Sequence, residues 1–297
     1  MEVLRFNTQC IDCIMSRFLS KIPLTVDERS KLRFAKAIMK IIVDADDSVS
    51  APEIVAMATA LKNEVFGAHD DYAEAKKYFN ALMLSLEDSI SDKITASSDP
   101  LLTAAKFALL GNYIDFGAMA SVDENKLRQM LGEVDGISLN STEFDNLCHD
   151  LENSKHLVYL TDNCGEIALD KLFIREIKAR FPSVDVTVLV RGEPVLNDAT
   201  MEDATDIGLP SVATVLPNGT NVAGTCLNKL PPKIKEIVDN ADVIISKGQG
   251  NFETLHDSGL NVYYFFLCKC KLFSDQFKVP SFTGMLLNDR RMNDKML

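Results

Sequence analysis

Apolar positions recur at helical spacing throughout the first half of the chain. In the run from Cys10 to Ile22 they fall three or four residues apart, and Pro23 ends the run. The same pattern predicts helices over residues 72–86 and 101–110, the second stopped by Gly111, and we find no convincing strand before about residue 155. The sequence therefore predicts a helical domain over residues 1–153.

Two helix starts are predicted from capping signals in this half. Thr25 is followed three residues later by Glu28, which is the spacing of a capping box. Ser50 and Glu53 repeat that spacing, with Pro52 inside the first turn, where a proline is favoured. We therefore expect helices to begin just after Thr25 and just after Ser50.

The second half has the pattern of a parallel sheet. Short apolar runs alternate with helix-length segments, which is typical of strands that are covered by helices on both faces. We predict a Rossmann-like, three-layer α/β/α domain with a mainly parallel sheet over residues 154–297, with strands at 156–161, 184–190, 212–216, 242–246 and 261–267.

Polar side chains follow several of these strands at their carboxyl ends, which is where ligands bind in such sheets. Carboxylate and amide oxygens at one rim suit a hard divalent cation such as Mg²⁺ or Mn²⁺. For Asp162 alone, capping of the following helix is the stronger alternative, and a second Asn-Asp pair on the next strand favours metal. If the strands are neighbours, the residues that converge are Asp162, Asn163, Glu166, Asp198, Asn251, Glu253 and Lys269.

The turn Gly248-Gln249-Gly250 has more than one interpretation. Its backbone amides could approach a phosphate at the start of a helix. It is a weak dinucleotide fingerprint, because Glu253 stands where the third glycine would be and the strand before it is a late one. A tight strand-to-helix turn explains the glycines and leaves Asn251 and Glu253 unexplained.

Composition and charge exclude several classes of protein. The chain has 297 residues, 46% of them hydrophobic and 25% charged, which is ordinary for a globular protein with a core. A net charge of −12 disfavours a nucleic-acid partner. The sequence has no apolar run of about 18 residues for a membrane span, and the start lacks the pattern of a signal peptide. We expect a cytoplasmic protein.

Seven cysteines in a cytoplasmic protein predict thiols without disulfides. Cys10 and Cys13 lie at the start of a predicted helix rather than after a strand, which disfavours a redox pair. We favour buried structural thiols for them, with a metal site as the main alternative and redox chemistry as the least favoured.

Together these segments resemble a known family, the metal-dependent damage-control phosphatases first classed as domain of unknown function 89. The similarity follows the same order over nearly the whole chain, and the pair Cys10 and Cys13 matches the prokaryotic-type subfamily. The matching segments are residues 111–116 (Gly-Asn-Tyr-Ile-Asp-Phe), 162–166 (Asp-Asn-Cys-Gly-Glu), 191–200 (Arg-Gly-Glu-Pro-Val-Leu-Asn-Asp-Ala-Thr) and 247–253 (Lys-Gly-Gln-Gly-Asn-Phe-Glu).

The resemblance implies roles for individual residues. Asp162, Asn163 and Asp198 match the metal ligands, and Glu166 matches a position against the substrate. Lys269 matches the late lysine that holds the phosphate, with Lys271 as the alternative. The substrate-binding loop corresponds to Gly248, Gln249, Gly250, Asn251 and Glu253, and residues 217–221 match another loop on the substrate side.

We therefore expect a hydrolase that removes phosphate from small phosphorylated metabolites, with Mn²⁺, Mg²⁺, Co²⁺ or Ni²⁺ as cofactor. Asp162, Glu166 and Lys269 are the predicted catalytic residues. Glu166 or Glu253 could serve as base for an attacking water, and attack by an aspartate is the alternative. Two other functions stay open: an adenosylmethionine-dependent methyltransferase or other nucleotide-cofactor enzyme, and a non-catalytic metal-binding protein.

Overall fold

The computed structural model describes residues 6–46, 48–67, 72–115 and 122–292. The chain divides into two compact units, Met1–Asp71 and Tyr72–Leu297. Phe116, the last residue of one family segment, lies outside the described residues.

The first unit contains α1 (Thr8–Ser20), α2 (Glu28–Asp44) and α3 (Ala51–Phe66). Its core is formed by apolar residues one helical turn apart, such as Ile14 and Phe18 on α1, packed against Phe34 and Ile54 from the other two helices. The predicted helices of this segment are therefore present.

One of the two predicted helix starts is correct and the other is wrong. At α3 the Ser50 backbone N–H donates to the Glu53 carboxylate over 2.9 Å, as the capping box requires. At α2 the cap is Asp27, which accepts from the Ser30 backbone N–H at 3.0 Å. Thr25 stays in the preceding turn, because an aspartate two positions later is a stronger acceptor for the first amides.

The second unit contains a six-stranded sheet and the remaining helices. The strands are β1 (His156–Leu160), β2 (Asp185–Val190), β3 (Thr214–Pro217), β4 (Val243–Lys247), β5 (Val262–Cys268) and β6 (Thr283–Asn288). The helices are α4 (Ala73–Ala96), α5 (Pro100–Gly111), α6 (Glu124–Gly132), α7 (Ser141–Glu152), α8 (Glu166–Arg180), α9 (Met201–Asp206), α10 (Pro232–Asp239), α11 (Gln249–Leu255) and α12 (Lys271–Phe277).

The strand order is β3-β2-β1-β4-β5-β6, and every pair is parallel except β5 with β6. β1 therefore lies between β2 and β4, where the direction of strand addition reverses. In open parallel sheets this reversal leaves a crevice at the carboxyl ends of the strands. The structure confirms the predicted mixed α/β fold with a mainly parallel sheet.

Alternate residues of each strand supply two cores, one on each face of the sheet. Leu157 and Tyr159 of β1 lie in a core shared with α4, α5 and α8, whereas Val158 and Leu160 lie in a core shared with α10, α11 and α12. Both faces are covered, which explains why the strand sequences are continuously apolar.

The predicted boundary after residue 153 does not divide the compact units. It marks the place where strands begin. The spacing of apolar residues changes there from helical to strand-like, and this change indicates secondary structure but not which elements pack together. Helices α4 and α5 precede that boundary, yet their apolar faces complete one layer over the sheet. They belong to the second unit.

Among the described residues, none of the helices combines the length and the apolar character that crossing a membrane requires. Within the same residues no cysteine is paired in a disulfide. Cys13 is exposed and Cys10 is half-buried, so the favoured interpretation of this pair as buried thiols is wrong.

Candidate active site

The turns after β1 and β2 are bonded to each other, and this brings the predicted metal ligands together. The backbone N–H of Ala199 donates to the Asp162 carbonyl over 2.7 Å, and the N–H of Cys164 donates to the Asn197 carbonyl over 2.8 Å. Asn163 and Asp198 lie opposite each other in an isolated antiparallel bridge. Two segments that are 35 residues apart in the chain thus form one rim.

Asp162 is a buried carboxylate with few cations beside it. Its Oδ2 accepts from the amide groups of Asn163 at 2.7 Å and Asn112 at 3.0 Å. Burial raises the pKa of Asp162 well above its usual value, and the nearby carboxylates of Asp198 and Glu166 raise it further.

Asp198 is paired with a buried arginine that follows β2. Arg191 Nε lies 2.6 Å from Asp198 Oδ2, whereas its Nη2 is 3.7 Å from Asp162 Oδ1. Burial raises the pKa of Asp198 to about 6, and Arg191 opposes that shift. The guanidinium also donates to the Gly224 carbonyl at 2.8 Å and to Asn251 Oδ1 at 3.3 Å, so it joins the turn after β2 to the loop at Gly224 and to α11.

The donor set of this rim fits a single hard cation. Two buried carboxylates with raised pKa values, those of Asp162 and Asp198, lie beside the Asn163 amide and have one guanidinium as their nearest compensating charge. Oxygen donors and excess negative charge are what Mg²⁺ and Mn²⁺ select. Within the described residues no group of three His, Cys, Asp or Glu side chains is placed to hold a metal ion, and this rim has two carboxylates and one amide.

Glu166 begins α8 directly behind this rim. Its side chain is fully buried and accepts from Lys247 Nζ at 2.7 Å, from Asn163 Nδ2 at 2.8 Å and from Asn112 Nδ2 at 3.0 Å. Lys247, the last residue of β4, is also fully buried and contacts Asp170 at 2.5 Å. The carboxylate predicted to face the substrate is thus enclosed by protein donors.

The turn after β4 requires a glycine for a reason specific to this site. Gly248 has φ +79°, and a Cβ there would lie 1.9 Å from Asp162 Oδ2. The glycine therefore lets the backbone pass against the Asp162 carboxylate. This close approach is enough to explain the glycine at position 248, and no bound nucleotide is needed to explain it.

The rest of the predicted substrate loop forms the first turns of α11, and its side chains contact the segments that follow β1 and β5. Asn251 is buried and donates to the carbonyl groups of Thr161 and Lys247, at 3.1 and 2.7 Å. Gln249 Oε1 accepts from the backbone N–H of Lys269 and its Nε2 donates to Glu253, both over 3.3 Å. Burial raises the pKa of Glu253 to about 7.

The two candidate lysines after β5 have different environments. The Lys269 side chain is 2% exposed and its Nζ lies 2.6 Å from Asp115 Oδ2. The Lys271 side chain is 78% exposed and pairs with Asp275 one turn later on α12. Asp115 also raises the pKa of Asp162, so Lys269 rather than Lys271 is connected to the rim.

Residues 217–221, which match another substrate-side loop, brace the turn after β2. Asn218 Oδ1 accepts from the backbone N–H groups of Gly192 and Thr220, both at 2.9 Å. Gly192 packs against this loop so closely that a Cβ would lie 2.6 Å from Gly219. In the structure this segment supports Arg191.

Four residues of the site were given no role by the sequence: Asn112, Asp115, Arg191 and Lys247. All four lie in the matched segments, which is the signal that could have identified them. Their partners are distant in sequence, for example 54 positions between Asn112 and Glu166 and 81 between Lys247 and Glu166. The spacing of residues within one segment therefore gives no indication of such contacts.

The family model of the damage-control phosphatase ARMT1-like domain matches residues 6–283, which is nearly the whole chain. The chain belongs to this family. The resemblance inferred from the sequence segments is therefore confirmed, and so is the predicted phosphatase class.

Two relatives resemble this chain in sequence, and one of them also resembles it in structure. A damage-control phosphatase of Archaeoglobus fulgidus is 31% identical over 277 residues, which is 90% of this chain and 93% of the relative. Damage-control phosphatase PH1575 of Pyrococcus horikoshii is 26% identical over 93% of this chain and 96% of its own length. The crystal structure of that DUF89 family protein superposes with a TM-score of 0.78 and covers 96% of this chain and 99% of the other.

Proposed function

We propose that this phosphatase hydrolyses phosphomonoesters of small metabolites with one divalent cation bound by Asp162, Asn163 and Asp198. The observation that carries the proposal is the pair of buried carboxylates with raised pKa values on two bonded turns. A cation removes the repulsion that raises those pKa values, and the ligand set leaves it positions for a phosphate oxygen.

Lys269 and the bound cation would together neutralise the negative charge of the phosphate. When bound, the cation supplies positive charge next to a phosphate oxygen, which is the main requirement of phosphoryl transfer. The Lys269 ammonium is held by Asp115 at 2.6 Å, and it can exchange that carboxylate for a phosphate oxygen of the substrate. Backbone amides of the loop from Gly248 to Gly250 would add further donors.

We propose water as the nucleophile and Glu253 as its base. A base works best with a pKa near the working pH, and burial raises the pKa of Glu253 to about 7. Glu166, the other candidate, already accepts from an ammonium and from two side-chain amides. An aspartyl-phosphate would require Asp162 or Asp198, which the proposal assigns to the cation.

The physiological metal is proposed to be Mn²⁺, Mg²⁺, Co²⁺ or Ni²⁺, because two carboxylates and one amide do not select strongly among these ions. The substrates proposed are sugar phosphates and damaged or side-product phosphometabolites, and the name damage-control phosphatase, which two relatives carry, supports the second group. The proposed location is the cytoplasm, a reducing compartment in which the seven cysteines of the sequence would stay thiols.

The test is a phosphate-release screen over metabolite phosphomonoesters, with each of the four metals and with a chelator. We expect release that depends on metal and that Asp162→Ala abolishes, while the exposed change Lys271→Ala leaves it intact. Equal release in chelator would contradict the metal proposal. No release from any ester, together with binding of adenosylmethionine, would favour the methyltransferase alternative.

A further inference from the structure

Asn163 is the one predicted metal ligand whose side chain has two chemically different ends. Only its oxygen can bind a cation, because the amide nitrogen carries two hydrogens and has no free electron pair for the metal. A ligand of this kind has to be held in one of two orientations that differ little in shape. The residues that set the orientation therefore decide whether the site binds metal.

The structure fixes this orientation through two carboxylates. Asn163 Nδ2 lies 2.7 Å from Asp162 Oδ2 and 2.8 Å from Glu166 Oε2. Glu166 Oε2 also accepts from the Asn112 amide, so the Asn163 nitrogen faces this oxygen as a donor and the Asn163 amide oxygen faces the other way. Glu166 Oε2 also accepts from the Asn163 backbone N–H at 3.3 Å, so it holds the residue at two points.

Glu166 is in turn held by a buried lysine. Lys247 Nζ donates to Glu166 Oε1 at 2.7 Å, to Asp170 Oδ1 at 2.5 Å and to the Ala108 carbonyl at 2.8 Å. These three acceptors use the three N–H bonds of the ammonium. Side chains of both Lys247 and Glu166 are 0% exposed, so water cannot replace either partner.

We infer that Glu166, anchored by Lys247, is a positioning residue that turns the Asn163 amide oxygen toward the bound cation. The inference rests on the proposed function, because it concerns the same metal site. It gives Glu166 and Lys247 a role that requires no contact with the substrate. Groups that orient metal ligands in this way typically change metal affinity by about 10- to 100-fold when they are replaced.

The change Glu166→Gln tests the inference with almost no change of shape. A glutamine has one oxygen, and the Lys247 ammonium is the strongest donor nearby, so the oxygen turns to Lys247. The glutamine nitrogen then meets the amide nitrogens of Asn163 and Asn112, donor against donor, while Asp162 Oδ2 still accepts from Asn163, so the orientation of the Asn163 amide is no longer fixed. We expect Mn²⁺ to bind about 10- to 100-fold more weakly than to the unchanged protein.

Asp170→Asn is the matched control. Asp170 is equally buried and shares the same lysine, but its second oxygen, Oδ2, has no hydrogen-bond partner in the described structure. Asparagine can keep its oxygen toward Lys247 and Tyr159 and place its nitrogen at that unused position. We expect its Mn²⁺ affinity to stay close to that of the unchanged protein, because the hydrogen bonds of Asp170 go to Tyr159 and Lys247 and do not orient Asn163.

The double change Asn163→Asp with Glu166→Gln is the rescue. An aspartate has an oxygen at both ends, so it needs no orientation. The glutamine nitrogen can donate to its inner oxygen, and the bound cation offsets the repulsion between that oxygen and Asp162 Oδ2. We expect the double variant to bind Mn²⁺ more tightly than Glu166→Gln does. A merely structural role of Glu166 predicts no such recovery.

Mn²⁺ affinity is measured by electron paramagnetic resonance titration without substrate, so the readout is independent of turnover. Unaltered affinity in Glu166→Gln, or an equal loss in Asp170→Asn, would overturn the positioning role and leave the phosphatase proposal standing. No Mn²⁺ binding by the unchanged protein would reject the metal site itself, and the positioning role with it.

Should Glu166→Gln fail to fold, a crystal structure of the unchanged protein with Mn²⁺ decides the matter. Asn163 Oδ1 on the ion with Nδ2 on Glu166 is the expected arrangement. Glu166 bound directly to the ion would overturn the inference.

Discussion

At the scale of single residues, the environment of Asp162 is unfavourable for an ionised carboxylate when no cation is bound. It is buried, and its pKa is raised by burial first and then by Asp198, Glu166 and Asp115. A carboxyl whose folded pKa is raised destabilises the folded state once the pH exceeds its ordinary value. Asp162, which the proposal assigns to the cation, therefore destabilises the folded protein when no cation is bound.

We therefore predict that Asp162→Asn stabilises the metal-free protein at pH 8 and abolishes metal-dependent phosphate release. The melting temperature should rise by roughly 2–4 °C, the shift that about 1 kcal/mol produces in a chain of this size. Thermal unfolding in chelator measures it, with the exposed Asp206→Asn as control for loss of one charge. A lower melting temperature would show that Asp162 stabilises the fold.

A second prediction at this scale separates the two lysines after β5. Lys269→Ala removes a buried ammonium and should weaken binding of inorganic phosphate by about tenfold or more, with little change in Mn²⁺ affinity. Lys271→Ala removes an exposed ammonium and should change neither. Competitive inhibition by phosphate measures the first effect. The reverse outcome would move the phosphate-binding role to Lys271.

The sequence could identify Asp162, Asn163 and Asp198 as candidates, because they follow predicted strands within matched segments. Lys269 could be identified because it follows the last predicted strand and the resemblance implies a late lysine there. It could not assign Lys247, which ends an apolar strand and gives no local sign of its ion pair with Glu166. Such pairs exist only once β1 and β4 are neighbours.

At the scale of elements, the period of the apolar pattern was a sufficient guide to the strands β1 to β5, which begin and end within two residues of their predicted bounds. β6 was missed because its apolar run is limited to Met285, Leu286 and Leu287, with Gly284 before it and Asn288 after it. The packing of the helices could not be predicted from the same pattern. The helical periodicity of α4 and α5 does not indicate which neighbouring element covers their apolar faces.

The turn that joins β4 to α11 carries the prediction at this scale. Gly248→Ala should weaken Mn²⁺ binding by about tenfold or more, because the new Cβ would collide with Asp162 Oδ2 and force that ligand to move. Gly208→Ala is the matched control: φ there is +73°, and a Cβ would meet nothing within 4 Å. Backbone strain, of order 1 kcal/mol or more, is common to both variants.

Titration of Mn²⁺ into both variants separates the collision from the strain. Equal Mn²⁺ affinities in the two would mean that the close approach of Gly248 to Asp162 does not position the ligand.

At the scale of the whole molecule, an excess of carboxylates sets the response to pH. The chain carries a net charge of −12, and the site concentrates Asp115, Asp162, Asp198 and Glu166 around few cations. Metal binds the ionised carboxylates, so protons and metal compete. The affinity for metal should therefore depend on pH over the range in which the carboxyls with raised pKa values titrate.

We predict that Mn²⁺ affinity rises as the pH increases from 5.5 to 8. Asp198 has its pKa raised to about 6 and that of Asp162 is also raised, so each proton displaced adds up to about tenfold per pH unit below the pKa. Calorimetric titration at several pH values measures the trend, with circular dichroism to show that the fold persists. A flat profile over this range would mean that the carboxyls are ionised throughout.

The most direct test of the whole account is an anomalous-scattering map of a crystal grown with Mn²⁺. We predict one Mn²⁺ peak, from an ion that is bound by Asp162, Asp198 and the amide oxygen of Asn163. A Mn²⁺ peak elsewhere, or none at this rim in a crystal of protein that releases phosphate with Mn²⁺, would contradict it.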